Sequence, residues 1–411
     1  MEEKRGFMPA SGRNRDWNVE TLAVHAGEHV DPATRASSPN LVMSVTFAPT
    51  ELTGFSTRDR RDYEGFVYAR KSSPTVRQLE DKLAALEGGE AALAYASGIA
   101  ASHALIAGRL GGGDHLVMSD TNYIGTAELA RDTLPRFGIE VTFADSFNPD
   151  EVAAALRSNT RMLWLETPAN PIMRLCDISL LAGLAHKAGV RDVVVDSTFA
   201  SPIATKPLQL GADFVMHSLT KYIGGHGDAL GGAVIGRRSD LVALNLESTV
   251  HFGGVLSPFN AWLILRGAAT LPLRMRAHEE AALTVARHLE GHSAVKRVFY
   301  PGLTSHPQHD LALRQMCNFS GMMTFQTHEP GVAVAQRMVE QLEIIHYAVS
   351  LGHIRSLVCW IGTDDIQKST FRHDANALRG YRDYAGDGVF RLSIGIENGE
   401  DLCRDLDRVL R

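Results

Sequence analysis

Apolar and polar residues follow two regimes along this chain. From Ser73 to about residue 260, short apolar runs recur between segments with helical spacing. In SPTVRQLEDKLAALEGG the apolar positions Val76, Leu79, Leu83 and Leu86 fall three or four apart, and Gly88-Gly89 predicts the helix stop. A short apolar run from Ala91 to Ala96 follows, and Ser97-Gly98 then opens a second predicted helix, IAASHALIAGRL. HLVMS, VTFAD, RMLWLE, RDVVVD, DFVMHS and AVIG are the later strand-like runs. Strands that are apolar throughout and alternate with helices predict a parallel sheet covered on both faces. Sheets of that kind bind ligands at the carboxyl ends of their strands.

Residues 1–64 are rich in Ser, Thr, Arg, Asp and Pro, with only short apolar patches such as Leu41-Val42-Met43. They read as an extended arm that lies on a neighbouring subunit. Beyond about residue 260, NAWLILRGAATLPLRMRAHEEAALTVARHLEGH predicts one long helix. MMTFQT, VFRLSIGIE and the terminal EDLCRDLDRVLR then predict strands and a last helix. The expected organisation is an arm over 1–64, a large α/β domain over 65–260 and a smaller α+β domain over 261–411.

Composition narrows the function. A chain of 411 residues buries enough surface to need no disulfide staples. Its net charge of −6 leaves no basic surplus for nucleic acid. Cys176, Cys317, Cys359 and Cys403 lie far apart, as expected of free thiols in a reducing compartment. The first twenty residues lack an apolar signal core, and no run approaches a membrane span. The expectation is a cytoplasmic protein with no nucleic-acid or membrane partner.

Candidate chemistry gathers after the apolar runs. In DFVMHSLTKYIGGHGDALGG, Ser218, Thr220 and Lys221 follow a strand and precede glycines. A lysine held partly out of water there becomes nucleophilic, and the hydroxyls can donate to phosphate. RDVVVD ends in Asp196, a carboxylate suited to keeping a pyridine nitrogen protonated. The helix beginning at Ser97-Gly98-Ile99 offers backbone amides and a dipole to an anion. No Walker lysine accompanies GRLGGGDH, which excludes a nucleotide P-loop. His217, His226 and His251 lack ligand spacing, so no metal is expected, and Cys359 reads as a core residue.

These pieces occur in the order of one family. VYARKSSPT, LEGGEAALAYASGIAA, ETPANP, VVVDSTFASP, HSLTKYIGGHGD, RGAATLPLRM, VSLG and FRLSIGIE resemble the PLP-dependent enzymes of cysteine and methionine metabolism. That family includes cystathionine γ-synthase, cystathionine γ-lyase, methionine γ-lyase and O-acetylhomoserine sulfhydrylase. The resemblance implies a fold-type I PLP-dependent transferase: a mostly parallel seven-stranded sheet in a large α/β domain, plus a smaller C-terminal α+β domain. It implies pyridoxal 5′-phosphate as a Schiff base on Lys221, Asp196 at the pyridinium nitrogen, and Tyr123 stacked on the ring as acid or base. It further implies Gly98, Ile99, Ser218 and Thr220 at the phosphate, with Tyr68 and Arg70 reaching it from a neighbouring subunit. The active species would thus be a homodimer, commonly a dimer of dimers. Arg391 would clamp the substrate carboxylate, assisted by Ser350 and Asn170.

The chain also departs from the family pattern. Ser73 stands where asparagine is usual, Ile99 where methionine is commoner, and Ile124 where glycine follows the tyrosine. Gly125 replaces the cysteine of methionine γ-lyases, and Val349 replaces the glutamate of cystathionine γ-lyases. After VSLG, HIRSLVCWIGTDDIQKSTF reads as a lengthened loop in which Arg355 replaces an acidic residue. Its Asp364 and Asp365 suggest selection of a cationic substrate tail, such as that of canavanine. The expected reaction is γ-elimination from an L-amino acid bearing a heteroatom at Cγ. The alternative is γ-replacement on an activated homoserine. A silent cofactor-binding protein would have lost one of Lys221, Asp196, Tyr123 or Arg391, and all four are present.

Overall fold

A computed structural model describes residues 16–49, 65–368 and 375–411. Much of the expected arm, residues 1–15 and 50–64, therefore lies outside the described residues, as do 369–374.

Seven strands form the larger sheet: β1 (Ala91–Tyr95), β2 (His115–Ser119), β3 (Glu140–Ala144), β4 (Thr160–Glu166), β5 (Asp192–Asp196), β6 (Phe214–Ser218) and β7 (Gly232–Gly236). Their order is β1-β7-β6-β5-β4-β2-β3. β2 pairs in parallel with β3 and β4, and β4 in parallel with β5. β7 runs antiparallel to β1 and β6. Every residue of β1, β2, β5 and β7 is buried, which is what strands apolar on both faces require.

The described residues divide into two compact units. One takes the chain up to Arg109 together with Phe214–Pro272. The other takes Leu110–Asp213 and Leu273–Arg411.

In the first unit, the helix Pro74–Glu87 starts at an N-cap serine, Ser73, whose hydroxyl accepts from Val76 N at 3.4 Å. It stops at Gly88, in the left-handed region with φ of 79°. The arm is not extended throughout, because Val19–His25 is helical. That turn is tied down by Lys82, whose fully buried Nζ donates to Ala23 O (2.5 Å), Val24 O (3.1 Å) and Glu28 Oε1 (2.7 Å). Burial lowers the Lys82 pKa and Glu28 opposes that shift.

In the second unit, Val117, Leu163, Leu165, Val193 and Val195 of the sheet pack against Ile178, Leu181, Ala182 and Ala185 of the helix Ile178–Lys187. A five-stranded sheet follows: β8 (Val295–Phe299), β9 (Met322–Thr327), β10 (His346–Tyr347), β11 (Leu357–Gly362) and β12 (Gly388–Ser393), in the order β10-β11-β12-β9-β8. Helices supply Val285, Leu289, Val334, Met338, Leu402 and Leu406 to one core with Phe325, Val358 and Phe390 of this sheet.

Two expectations change. The single long helix is two, Pro258–Ala268 and Leu271–Gly291. Pro272 has no N–H to donate into a preceding turn and disfavours helical geometry just before it, so it suits the first turn of a new helix. The lengthened loop after VSLG is also not a loop throughout: it forms β11 and the helix Thr363–Lys368.

Candidate active site

In the first unit, β6 delivers Ser218, and the chain then turns through Leu219, Thr220 and Lys221. Leu219, Tyr222 and Ile223 are buried and anchor this turn on either side of the half-buried lysine. Lys221 N donates to Ser218 O (3.2 Å), Gly224 N to Leu219 O (2.9 Å), and Gly225 N to Lys221 O (2.7 Å). Thr220 Oγ1 donates to Gly231 O (3.3 Å) and accepts from Gly231 N (3.2 Å), which closes the glycine-rich loop onto the turn.

The helix Gly98–Arg109 begins beside Ser218. Ser97 caps it, its hydroxyl accepting from Ala100 N at 3.2 Å. The first amides of a helix have no intrahelical acceptor, so Gly98 and Ile99 present N–H groups at a positive dipole end. A Cβ on Gly98 would stand 2.9 Å from Ser218 Cβ and 3.0 Å from its Oγ. Only glycine lets helix and strand end approach this closely. Elsewhere in this unit Tyr68 is exposed and bridges Thr46, while Arg70 Nη1 donates to Val250 O at 2.8 Å.

The second unit holds the other candidates. Asp196 ends β5, is 4% exposed, and accepts from Thr198 N at 3.0 Å. Tyr123 precedes the helix Ile124–Glu128 and is 47% exposed. A Cβ on Gly125 would lie 2.7 Å from the tyrosine ring, so the ring occupies the space that a side chain there would need. Asn170, Ser350 and Arg391 come together. Arg391, on β12, donates from Nη1 to Asn170 Oδ1 (2.9 Å) and from Nη2 to Ser350 O (3.3 Å). Ser350 sits at φ of 99°, a strained conformation for a residue with a side chain, and its hydroxyl meets His353 Nε2 at 3.2 Å.

Glu166 is the site residue that the sequence reading passes over, although it opens ETPANP. It ends β4, is 4% exposed, and pairs in register with Asp196. Its Oε2 accepts from Tyr123 N (2.6 Å) and its Oε1 from Asn170 N (3.0 Å). Burial first, then the neighbouring Asp196, pushes its pKa well above the usual carboxyl range, against the two amides and Arg391. A carboxyl closing an otherwise apolar run, RMLWLE, is the signal that marks it.

Asp364 and Asp365 are exposed, and each has a cation of its own chain beside it. Arg382 pairs with Asp364, and Lys368 lies 3.3 Å from Asp365. His217 pairs with buried Glu87 at 2.7 Å, His226 with Gly224 O at 2.8 Å, and His251 with Glu247 at 2.9 Å. Among the described residues no cluster of His, Cys, Asp or Glu could hold a metal ion, and no helix is long and apolar enough to cross a membrane. The four cysteines are free thiols, Cys359 buried in β11 among them.

Comparison with known proteins points the same way. A family model described as Cys/Met metabolism PLP-dependent enzyme matches residues 20–411. The canavanine gamma-lyase of Pseudomonas canavaninivorans is 41% identical over 397 residues, 96% of each chain. The cystathionine gamma-synthase of Mycobacterium leprae is 40% identical over 412 residues, covering 100% of this chain and 99% of the relative. The crystal structure of cystathionine gamma-lyase from Lactobacillus plantarum complexed with L-serine matches with a TM-score of 0.85 at 34% identity, over 95% of this chain and 98% of that one.

Fold and donor set together define a pyridoxal-phosphate-dependent enzyme of fold type I. More narrowly, the chain belongs to the Cys/Met metabolism PLP-dependent enzyme family, as a γ-lyase or a related γ-replacement transferase. Its residues fit that cofactor. Helix amides and the Ser218 hydroxyl make a cradle that a Cβ on Gly98 would fill, and Asp196 is a buried acceptor suited to a protonated ring nitrogen.

Proposed function

We propose that this enzyme catalyses γ-elimination on an L-amino acid with a heteroatom at Cγ, and that canavanine, with its cationic tail, is the first substrate to test. The observation that carries the reading is the 41% identity to a canavanine gamma-lyase over 96% of the chain. Pyridoxal phosphate supplies an electron sink for the carbanion at Cα. Lys221 would hold the cofactor, and its Nζ would take and return protons along the substrate. Asp196 would accept from the pyridinium N–H. Gly98, Ile99, Ser218 and Thr220 would bind the phosphate. The Tyr123 ring would lie against the cofactor and its Oη would give a proton to the leaving group. Arg391, with Asn170 and Ser350, would bind the substrate carboxylate, a role supported by the hydrogen bonds that already join these three.

We assign γ-replacement as the second reading, favoured by the 40% identity to a cystathionine gamma-synthase over the whole chain. A cytoplasmic homo-oligomer, a dimer of dimers in which the arm and Tyr68 and Arg70 serve a neighbouring subunit, completes the proposal. One screen separates the reactions. Canavanine, methionine, cystathionine and O-acetylhomoserine are each incubated alone and with a thiol, and release of 2-oxo acid, homoserine and ammonia is followed. Turnover of canavanine alone, abolished in Lys221→Ala, is the expected result. Product that forms only with the added thiol would replace elimination by replacement.

A further inference from the structure

We propose that Glu166 is a positioning residue, whose carboxyl ties the backbone amides of Tyr123 and Asn170 and thereby sets where the tyrosine ring and the substrate-clamping amide point. The proposal rests on the roles just assigned to Tyr123 and Asn170. Its geometry lies wholly within the second unit.

A carboxyl at 4% exposure carries a desolvation cost that an apolar strand end would avoid. Glu166 offsets that cost with two hydrogen bonds, one to a segment remote in sequence and one to the turn that follows its own strand. Tyr123 N lies 2.6 Å from Oε2, 43 residues away, and Asn170 N lies 3.0 Å from Oε1 in the turn after β4. Each such bond satisfies a carboxyl oxygen that burial would otherwise leave without a partner.

Asn170 is thus fixed from both ends, its amide by Glu166 and its Oδ1 by Arg391 at 2.9 Å. Tyr123 is held at its amide by Glu166 and at its carbonyl by Thr126 N (3.0 Å) and Ala127 N (3.1 Å), while its ring is 47% exposed. The Glu166 bond is the tether that joins this backbone to the end of β4. Asp196, the register partner of Glu166, holds the end of the adjacent strand. Thr167 N donates to Asp196 O at 3.3 Å, so the turn carrying Asn170 starts from that pairing. An isosteric amide at 166 would keep one acceptor oxygen and aim an NH₂ group at the other N–H, freeing one of the two tethers.

The test compares Glu166→Gln, Asn170→Ala and the double variant with the wild type, all loaded with cofactor. KM, kcat, the visible circular dichroism of the bound cofactor and thermal stability of the cofactor-free chain are measured. Glu166→Gln is expected to raise KM about tenfold and to alter the dichroic band. Its KM effect should vanish in the Asn170→Ala background, where no side chain is left to aim. Lowered stability with KM, kcat and dichroism unchanged would overturn the proposal, as would KM effects that simply add. Should Glu166→Gln fail to fold, Glu166→Asp, which keeps the carboxyl on a shorter side chain that reaches only one amide, is judged by the same readouts. If Asn170→Ala and Tyr123→Phe themselves leave KM, kcat and dichroism intact, the underlying site assignment fails instead.

Discussion

At Gly98 the absence of one methyl group decides how close a helix comes to a strand end. The ideal Cβ would overlap Ser218 at 2.9 Å to Cβ and 3.0 Å to Oγ, contacts that real side chains avoid. Gly98→Ala must therefore push the first-turn amides away from the Ser218 hydroxyl, and the proposed phosphate cradle opens. Cofactor binding is expected to weaken by about tenfold, roughly 1.4 kcal/mol. The conflict is with Ser218 atoms specifically, so Ser218→Gly in the Gly98→Ala background should cost less than the sum of the single changes. Equilibrium cofactor titration of the four proteins measures this, and strict additivity would show that the close approach is not what fixes affinity. Gly125 obeys the same logic toward the Tyr123 ring, 2.7 Å from its ideal Cβ. A cysteine, as the sequence comparison expects of methionine γ-lyases, would require that ring to move.

The C-terminal elements hold the segment that carries Ser350. Asp405, on the helix Gly399–Asp407 and 2% exposed, accepts from the amides of Glu343 (2.9 Å), Ile344 (3.0 Å) and Ile345 (2.9 Å). Glu397 does the same on the other side, accepting from Ser356 N at 2.7 Å and Ser356 Oγ at 2.9 Å. Asp405→Asn removes a charged triple acceptor and should destabilise the chain by on the order of 2 kcal/mol, read by urea unfolding. A rise in substrate KM should accompany it, because Ser350 follows the released segment. An unfolding midpoint equal to that of the wild type would refute the anchoring role. These elements also show which signals a sequence carries. β1, β2, β5 and β7 are legible because each is apolar throughout and buried on both faces. β8 is not, since VKRVF buries its ends and exposes Lys296 and Arg297. β11 is apolar, yet its strand state is set by pairing with β12, a partner some thirty residues on. Lys221 and Asp196 are legible as side chains whose chemistry stands out, and Arg391 through the family resemblance. Glu166 and Asp405 act on backbone amides, and no side-chain pattern announces an amide.

Across the whole chain, buried ionisable groups pull stability in opposite directions with pH. His278 and His306 are each held neutral, with pKa values lowered to about 4, first by burial. Neighbouring cations reinforce this, Arg274 for His278 and Arg297 for His306. His278 Nδ1 donates to Ile394 O (2.8 Å) and Gly395 O (3.0 Å). His306 Nε2 donates to Met173 O (3.1 Å), and its Nδ1 accepts from Gln308 N (3.1 Å). Unfolded, both rings bind protons near the ordinary 6.5, so the folded state holds fewer protons between about 4 and 6.5. Their contribution is full above that window and falls as pH drops through it, by on the order of 2 kcal/mol each at about pH 5. Asp120 has the reverse sign. Burial, then Asp145, raises its pKa to about 7 from 3.8, so its folded state holds the extra proton and stability falls as pH rises between those values. The net curve is therefore a difference, and single variants separate its parts. His278→Asn keeps a donor near Nδ1 and cannot titrate, so the loss of stability on going from pH 7 to pH 5 should shrink. Asp120→Asn removes the opposing slope, so the same loss should grow. Denaturation at pH 5, 6 and 7 measures both, and if the two variants shift the slope in the same direction, burial does not govern protonation in this fold.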